Sequence, residues 1–173
     1  TLRVFDVSQK AVSDFVGAHP SALATASAKA AAQGAAALIT MLPDGKIVRQ
    51  AILEGQDPAI EGLEAGAVVM DMSSSNPVDT QKLAKDLAGR GVALLDAPVS
   101  GGVKRAIDGS LSIMVGGAAA DLERARPVFA AMGKTITLCG PAGAGHALKA
   151  LNNYLAAAGL VAMCEALVVG EAF

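Results

Sequence analysis

The sequence predicts an α/β fold with a doubly wound, mainly parallel sheet, followed by the start of an all-helical domain. Three observations predict it. Short apolar runs bounded by turn residues alternate with segments of helical periodicity along most of the chain. Alternation at this spacing is typical of βαβ units. From residue 145 onward the alternation gives way to one long helical pattern rich in Ala and Leu.

Each predicted element rests on a run of this kind. The predicted strands cover 2–7, 36–42, 67–72, 92–96, 111–115 and 135–139, and the second to fourth are typical of strands buried on both faces of a parallel sheet. The predicted helices cover 9–16, 46–53, 78–90 and 121–132. Asn76 is a predicted N-cap ahead of Pro77, and Gly89 and Gly91 bracket the predicted end of that helix.

The change in pattern places a domain boundary near residue 142. We expect an α/β domain over 1–142 and the first long helix of a helical domain over 143–173. The chain opens on a β-rich run without an initiator Met and ends at Phe173 inside an apolar helical pattern with no stop signal. We therefore expect an internal fragment that lacks functional residues at both ends.

Composition excludes several classes of protein. Hydrophobic residues make up 53% of the chain, which excludes an intrinsically disordered protein. The 14 basic and 16 acidic side chains are too balanced for a nucleic-acid binder. No uncharged apolar run reaches the roughly 18 residues of a membrane span, and no signal peptide is evident. We expect a soluble cytoplasmic protein without a nucleic-acid or membrane partner.

The number and spacing of the two cysteines and two histidines predict no metal site. Cys139 and Cys164 cannot supply a disulfide framework or a four-thiolate zinc site. We expect both to be small buried side chains in a reducing compartment. His19 and His146 lie far apart in the sequence, and neither has a second ligand at metal-binding spacing.

The first segment with recognisable chemistry is Asp-Ala-Pro-Val-Ser-Gly-Gly at 96–102, at the carboxyl end of a predicted strand. Ligands of open α/β sheets bind outside such strand ends. Gly101 and Gly102 allow backbone amides to converge on an anion, and the hydroxyl of Ser100 adds a donor. A tight turn that needs glycine for a positive φ explains the same residues equally well.

The second segment is Gly-His-Ala-Leu-Lys-Ala-Leu-Asn-Asn at 145–153. On a helix Lys149 and Asn153 share one face, and Gly145 lies one turn earlier on that face. We expect Gly145 to leave space for a ligand, Lys149 to exchange a proton in a half-buried site, and Asn153 to orient a substrate group. Helix geometry leaves open the alternative that Lys149 and Asn153 point to solvent.

With both segments in view, the chain resembles the β-hydroxyacid dehydrogenase family, whose members include 3-hydroxyisobutyrate dehydrogenase and tartronate semialdehyde reductase. Residues 96–102 resemble its D-A-P-V-S-G-G substrate loop, and residues 145–153 resemble its G-x-x-x-K-x-x-N-N catalytic helix. Residues 41–43 and 72–77 resemble its cofactor-side M-L-P and S-T-x-x-P loops.

The chain departs from the family pattern at two positions. Ser74 stands where many members have Thr, which keeps the hydroxyl group. His146 stands where Gln is frequent, which puts a substrate-specific contact in doubt.

The resemblance implies a Rossmann-type domain that binds a nicotinamide cofactor, and an all-helical domain that forms a homodimer or homotetramer. It implies that the first strand and the Gly-rich loop precede Thr1, so that residues 2–6 form the second strand. Asp6 would then accept hydrogen bonds from the adenosine ribose hydroxyls and repel a 2′-phosphate. The resemblance therefore favours NAD, with NADP as the other cofactor.

The resemblance also implies an oxidoreductase that transfers a hydride between the cofactor and a short 3-hydroxy acid or its semialdehyde. Lys149 is the expected general acid and base. The expected substrate-binding residues are Ser100, Gly101, Gly102, Asn152 and Asn153. The expected cofactor-binding residues are Asp6, Met41, Leu42, Pro43 and Ser74.

Two other functions stay open. A decarboxylase similar to 6-phosphogluconate dehydrogenase would need basic residues near the substrate loop to bind a phosphate, and Lys104 and Arg105 lie there. A non-catalytic dinucleotide-binding scaffold that dimerises would not need Lys149 and Asn153 on one helix face.

Overall fold

The computed structural model describes residues 1–173 and confirms the α/β architecture. The strands are β1 (Leu2–Val4), β2 (Ala22–Ala24), β3 (Ala37–Thr40), β4 (Val68–Asp71), β5 (Ala93–Asp96), β6 (Val99–Ser100), β7 (Leu111–Gly116) and β8 (Gly133–Gly140). The α-helices are α1 (Gln9–Ala18), α2 (Ala28–Ala32), α3 (Gly45–Arg49), α4 (Pro77–Ala88), α5 (Gly102–Ile107), α6 (Ala119–Ala130) and α7 (Ala144–Ala172). A π-helical turn at Gln50–Glu54 continues α3, and a 3₁₀ turn covers Ala59–Glu61.

The main sheet has six strands and is mainly parallel, as predicted. Its order is β3-β4-β5-β7-β6, with β8 also paired to β7. Strands β3, β4 and β5 run parallel, and β7 runs parallel to β8. The two parallel groups join where β7 meets β5 in the antiparallel sense at one residue pair, Asp96 and Gly116. Strands β1 and β2 form a separate parallel pair.

Helices cover both faces of this sheet, which makes it doubly wound. Side chains along a strand alternate between the two faces. Met70 in β4 packs in one apolar cluster with Phe129 of α6. Its neighbour Val69 packs in a second cluster with Leu87 of α4. The alternation within one strand thus separates α6 from α4.

The prediction that three successive strands are buried on both faces is right for β4 and β5 and wrong for β3. All four residues of β4 are buried, and three of the four in β5. In β3 only Thr40 is buried, and Ile39 is 40% exposed. The exposed residues of β3 are Ala37 and Ile39, which lie on the face of the sheet where α6 packs against β4 and β5.

Several short elements escape the sequence prediction, namely β2, α2, β6, α5 and the 3₁₀ turn. Each is six residues long or shorter, too short for its hydrophobic pattern to show a period. The signal for α2 was local, since the Ser27 side chain caps the helix by accepting a hydrogen bond from the amide of Ala30. The predicted cap of α4 by Asn76 is confirmed.

The expectation that both cysteines are buried is wrong. Cys164 is exposed and Cys139 is partly exposed. Cys164 lies in the part of α7 that packs against no other element, and Cys139 lies in β8 at the border of the sheet. Its thiol donates a hydrogen bond to the carbonyl of Thr137, and partial burial raises the pKa of the Cys139 thiol.

Helix α7 touches the rest of the chain only near its beginning. Its buried residues are Gly145 and His146, and the side chains of Leu151, Leu155 and Leu167 are 60%, 69% and 64% exposed. By length and composition this helix qualifies to cross a membrane, with a mean hydropathy of 1.7 in an 18-residue window that is unburied here. Core helices of soluble proteins have the same length and composition but are mostly buried.

Gly145 faces the sheet, and the expectation that it leaves space for a ligand is wrong. A Cβ atom at this position would lie 2.4 Å from the carbonyl oxygen of Met114 and 2.7 Å from that of Asp96. Real Cβ atoms do not approach backbone oxygens this closely. The glycine therefore allows the first turn of α7 to sit directly on the ends of β5 and β7.

We expect Gly145→Ala to lower the free energy of unfolding by about 1–3 kcal/mol, because the added methyl group forces α7 away from the sheet. Gly159 is the matched control on the same helix, since a Cβ there meets nothing within 4 Å. Gly159→Ala should raise helix stability by up to about 1 kcal/mol. Urea unfolding followed by circular dichroism measures both, and equal effects of the two substitutions would contradict the assignment.

Candidate active site

A cavity of about 510 Å³ lies at the carboxyl ends of β3, β4 and β5, beside the first turns of α7. Loops that follow these three strands and one face of the helix enclose it. Its lining residues are Met41, Leu42, Pro43, Met72, Ser73, Ser74, Val99, Ser100, Gly101, Gly102, Lys149 and Asn153. The cavity is therefore where ligands of open α/β sheets bind.

The structure brings most of the predicted site residues together in this cavity. Lys149 and Asn153 line it together with the turn at 100–102, so the alternative in which both helix residues point only to solvent is wrong. Two predicted site residues lie outside the lining. Asn152 is exposed on α7, and Asp6 lies just after β1.

The lining separates into an apolar and a polar part. The apolar part consists of Met41, Leu42, Pro43, Met72 and Val99. The remaining part carries hydroxyl, amide and ammonium groups. Lys149 is half-buried and is the one charged residue in the lining. A cavity with one cation and no acidic side chain is suited to an anionic ligand.

The glycines at 101 and 102 form the turn that the sequence predicts. Gly101 has φ of 136° and Gly102 has φ of 65°, both in the region that favours glycine. A Cβ on Gly101 would lie 2.6 Å from the side chain of Arg105. The turn therefore needs glycine for its backbone, and the same two residues line the cavity.

The carboxylate of Asp96, the last residue of β5, caps the long helix. It is fully buried, and its Oδ1 accepts a hydrogen bond from the amide of Gly143 at 2.7 Å. Its Oδ2 accepts one from the amide of His146 at 2.9 Å. A buried carboxylate is tolerated when donors satisfy it, and a helix N-terminus supplies both donors and a favourable dipole.

The carboxylate of Asp71, the last residue of β4, holds the loop that follows β4 through hydrogen bonds. Its Oδ1 accepts hydrogen bonds from the Thr40 hydroxyl at 2.9 Å and from the Ser73 amide at 3.1 Å. Its Oδ2 accepts one from the Ser75 hydroxyl at 3.1 Å. The Ser73 hydroxyl in turn accepts the amide of Leu42 at 2.9 Å. Two loops that line the cavity are thereby tied together.

Ser73 lines the cavity and His146 lies beside it, and neither is among the catalytic or binding residues expected from the sequence. The side chain of His146 is fully buried between the two carboxylates, 3.8 Å from Asp71 and 3.9 Å from Asp96. No local pattern in the sequence marks its burial, because its partners Thr80 and Ser73 lie 66 and 73 residues away along the chain. No group of three or more acidic, His or Cys side chains is arranged to hold a metal ion.

Comparison with known proteins shows that most of the chain matches a dinucleotide-binding family. Residues 1–140 match the family described as the NAD binding domain of 6-phosphogluconate dehydrogenase. The chain is 42% identical over 171 residues to the NAD-dependent L-serine dehydrogenase of Pseudomonas aeruginosa. It is 40% identical over 173 residues to the 3-sulfolactaldehyde reductase of Escherichia coli. Each alignment covers 99% of this chain and 56% of the relative.

A solved structure agrees in fold. The 3-hydroxyisobutyrate dehydrogenase of Mycobacterium tuberculosis with L-serine superimposes with a TM-score of 0.88 at 38% identity. The superposition covers 98% of this chain and 56% of that chain. The present chain thus spans about half the length of the relatives that it matches.

We expect Asp96→Asn to lower the free energy of unfolding by about 2–3 kcal/mol, because one amide then faces the NH₂ group of Asn. Asp44→Asn is the matched control. Asp44 is an exposed N-cap, and one of its oxygens accepts the hydrogen bonds from both backbone amides that it caps. The control should cost little because Asn and Asp are equivalent N-caps. Urea denaturation compares the two, and a cost at Asp96 no larger than at Asp44 would refute the capping role.

Proposed function

The chain belongs to the family of the NAD binding domain of 6-phosphogluconate dehydrogenase, and from this premise we propose that it forms the cofactor-binding part of a dehydrogenase. The reaction is transfer of a hydride between a nicotinamide cofactor and a short 3-hydroxy acid or its semialdehyde. The observation that supports it best is the single cavity shared by Lys149 and the Ser100, Gly101 and Gly102 turn, beside an apolar wall.

The residues present are suited to a nicotinamide dinucleotide. Met41, Leu42 and Pro43 offer an apolar surface for the ring, and Ser74 offers a hydroxyl beside it. Asp6 follows β1 and is exposed, as a ribose-binding acid must be. The bound cofactor would supply or accept the hydride. Among cofactors we propose NAD, because the carboxylate of Asp6 repels a 2′-phosphate.

The protein's own residues would bind the substrate and move the proton. The amides of Gly101 and Gly102 and the hydroxyl of Ser100 hold the acid group of the substrate. In reduction the ammonium group of Lys149 donates a hydrogen bond to the reacting oxygen and gives it a proton, and in oxidation the neutral amine of Lys149 removes that proton. Asn153, one turn further along the helix, orients the substrate. Asn152 is left out of this proposal, because it does not line the cavity.

The relatives support a substrate of this class. Serine and 3-hydroxyisobutyrate each carry a hydroxyl and a carboxylate, and sulfolactaldehyde carries an aldehyde and a sulfonate. All three are small molecules that carry an anionic acid group with an alcohol or carbonyl group close to it. A cavity with one ammonium group, a hydroxyl and glycine amides suits such a molecule.

Neither alternative function gains support from the cavity. Lys104 and Arg105, the residues that a phosphate-binding decarboxylase would use, are exposed and absent from the lining. A non-catalytic scaffold does not account for Lys149 and Asn153 facing the same cavity. The homodimer or homotetramer, formed through the helical domain that begins at 143, stays a prediction.

We expect Lys149→Ala in the full-length protein to lower kcat by about 10²-fold or more, because the proton donor is lost. NADH binding, followed by fluorescence, should survive. Lys85→Ala is the control, since that lysine is exposed on α4 and makes no side-chain hydrogen bond. An unchanged kcat with 3-hydroxyisobutyrate and L-serine in the Lys149 variant would rule out its role.

We expect Asp6→Asn to reduce the preference for NAD over NADP by about 10-fold, because the repulsive charge disappears. In the wild type, Asp6 accepts a hydrogen bond from the amide of Ser8 at 2.7 Å. The side-chain oxygen of Asn can still accept this bond, so the local fold is kept. Asp14→Asn on the neighbouring helix α1 is the control. The ratio of kcat/KM for the two cofactors measures the effect, and a ratio that stays at the wild-type value argues against Asp6.

A further inference from the structure

His146 joins three elements of the site although it is fully buried. Imidazole buried to this degree is costly unless both nitrogens find partners. Here Nε2 lies 3.0 Å from the carbonyl oxygen of Ser73, and Nδ1 lies 2.8 Å from the hydroxyl of Thr80. We propose that His146 is a positioning residue, which sets the distance between Lys149 and the cofactor side of the cavity. This inference rests on the proposed function.

The bond to Ser73 reaches directly to the cavity wall. A carbonyl oxygen can only accept a hydrogen bond, so Nε2 of His146 must carry the hydrogen and act as the donor. The hydroxyl of the same Ser73 accepts the amide of Leu42 at 2.9 Å. Ser73 and Leu42 both line the cavity. A continuous hydrogen-bonded chain therefore runs from the first turn of α7 to the loop that would contact the nicotinamide ring.

The bond to Thr80 fixes the other side of the imidazole. Thr80 is 3% exposed in the first turn of α4, and its hydroxyl also lies 3.1 Å from the carbonyl oxygen of Asn76. The ring is thus held between α4 and the loop after β4. His146 precedes Lys149 by three residues, so the two side chains belong to adjacent positions on one turn of helix. A shift of the imidazole would move the ammonium group.

Docking of α7 does not itself depend on this side chain. The amide of His146 donates to Asp96, and a substitution at 146 keeps this main-chain bond. Gly145 keeps its contact with the strand ends in the same way. Loss of the imidazole should therefore leave the helix start bound to Asp96 but release the tie between its first turn and Ser73, so that Lys149 can shift relative to the cavity wall. The expected result is a loss of rate with little loss of binding.

The test compares His146→Leu, His146→Gln and Thr80→Val in the full-length protein, with NAD and with 3-hydroxyisobutyrate and L-serine as substrates. His146→Leu should lower kcat by about 10²-fold, the effect of misplacing a reacting group by about 1 Å, while KM for NAD changes by less than about 3-fold. Gln carries a donor and an acceptor in one amide, so it should recover most of the lost rate.

The outcomes separate the inference from the proposed function. A wild-type protein that oxidises neither substrate overturns the proposed function, and the inference with it. An active wild type with an unchanged kcat in His146→Leu, or with Gln no better than Leu, overturns the inference alone.

If His146→Leu loses its cooperative urea transition, Thr80→Val decides, with exposed Thr135→Val as its control. We expect Thr80→Val to lower kcat by about 3–10-fold at an unchanged KM, because one of the two bonds to the ring is lost. A kcat equal to that of the control would overturn the positioning role.

Discussion

The geometry of the cavity depends on one interaction, the capping of α7 by the buried carboxylate of Asp96. Its two hydrogen bonds reach 47 and 50 residues along the chain and hold the helix start on the end of β5. Two glycines make room for it: a Cβ on Gly116 would lie 2.4 Å from Oδ1, and one on Gly145 would lie 3.0 Å from Oδ2. Because α7 is anchored there, Lys149 one turn later stands beside the loop that follows the same strand. The carboxylate of Asp96 therefore fixes the position of Lys149 although it does not itself line the cavity.

The same arrangement is repeated on the adjacent strand. Asp71 and Asp96 are register partners at the ends of β4 and β5, and both are buried. Each carboxylate accepts hydrogen bonds from the segment that follows its strand or packs across the end of that strand. The side chain of His146 lies between the two carboxylates. Every buried side-chain polar atom has a hydrogen-bond partner. This satisfied network leaves Lys149 as the one charge that faces the cavity, and it keeps the polar groups of the wall in fixed positions before a ligand arrives.

The site also crosses the boundary between the two parts of the chain. The loops after β3, β4 and β5 lie within residues 1–140, the region that matches the dinucleotide-binding family. Lys149 and Asn153 lie beyond it, on α7. Under the proposed function, cofactor contacts and proton chemistry therefore come from different segments, whose relative position rests on the hydrogen bonds of Asp96 and His146. This division explains why a buried residue that touches no ligand can still be expected to influence the rate.

The sequence by itself determined the alternation of strands and helices, the cap at Asn76, and most of the residues that meet in the cavity, because periodicity, capping and short motifs are local properties. Tertiary structure alone decided the antiparallel join of β5 and β7, the exposure of Ile39 in β3, and the packing role of Gly145. It also decided the contacts of His146, whose partners Thr80 and Ser73 lie 66 and 73 residues away. Contacts across such separations depend on which strand ends and helix starts come together in space, and no pattern of neighbouring residues encodes that.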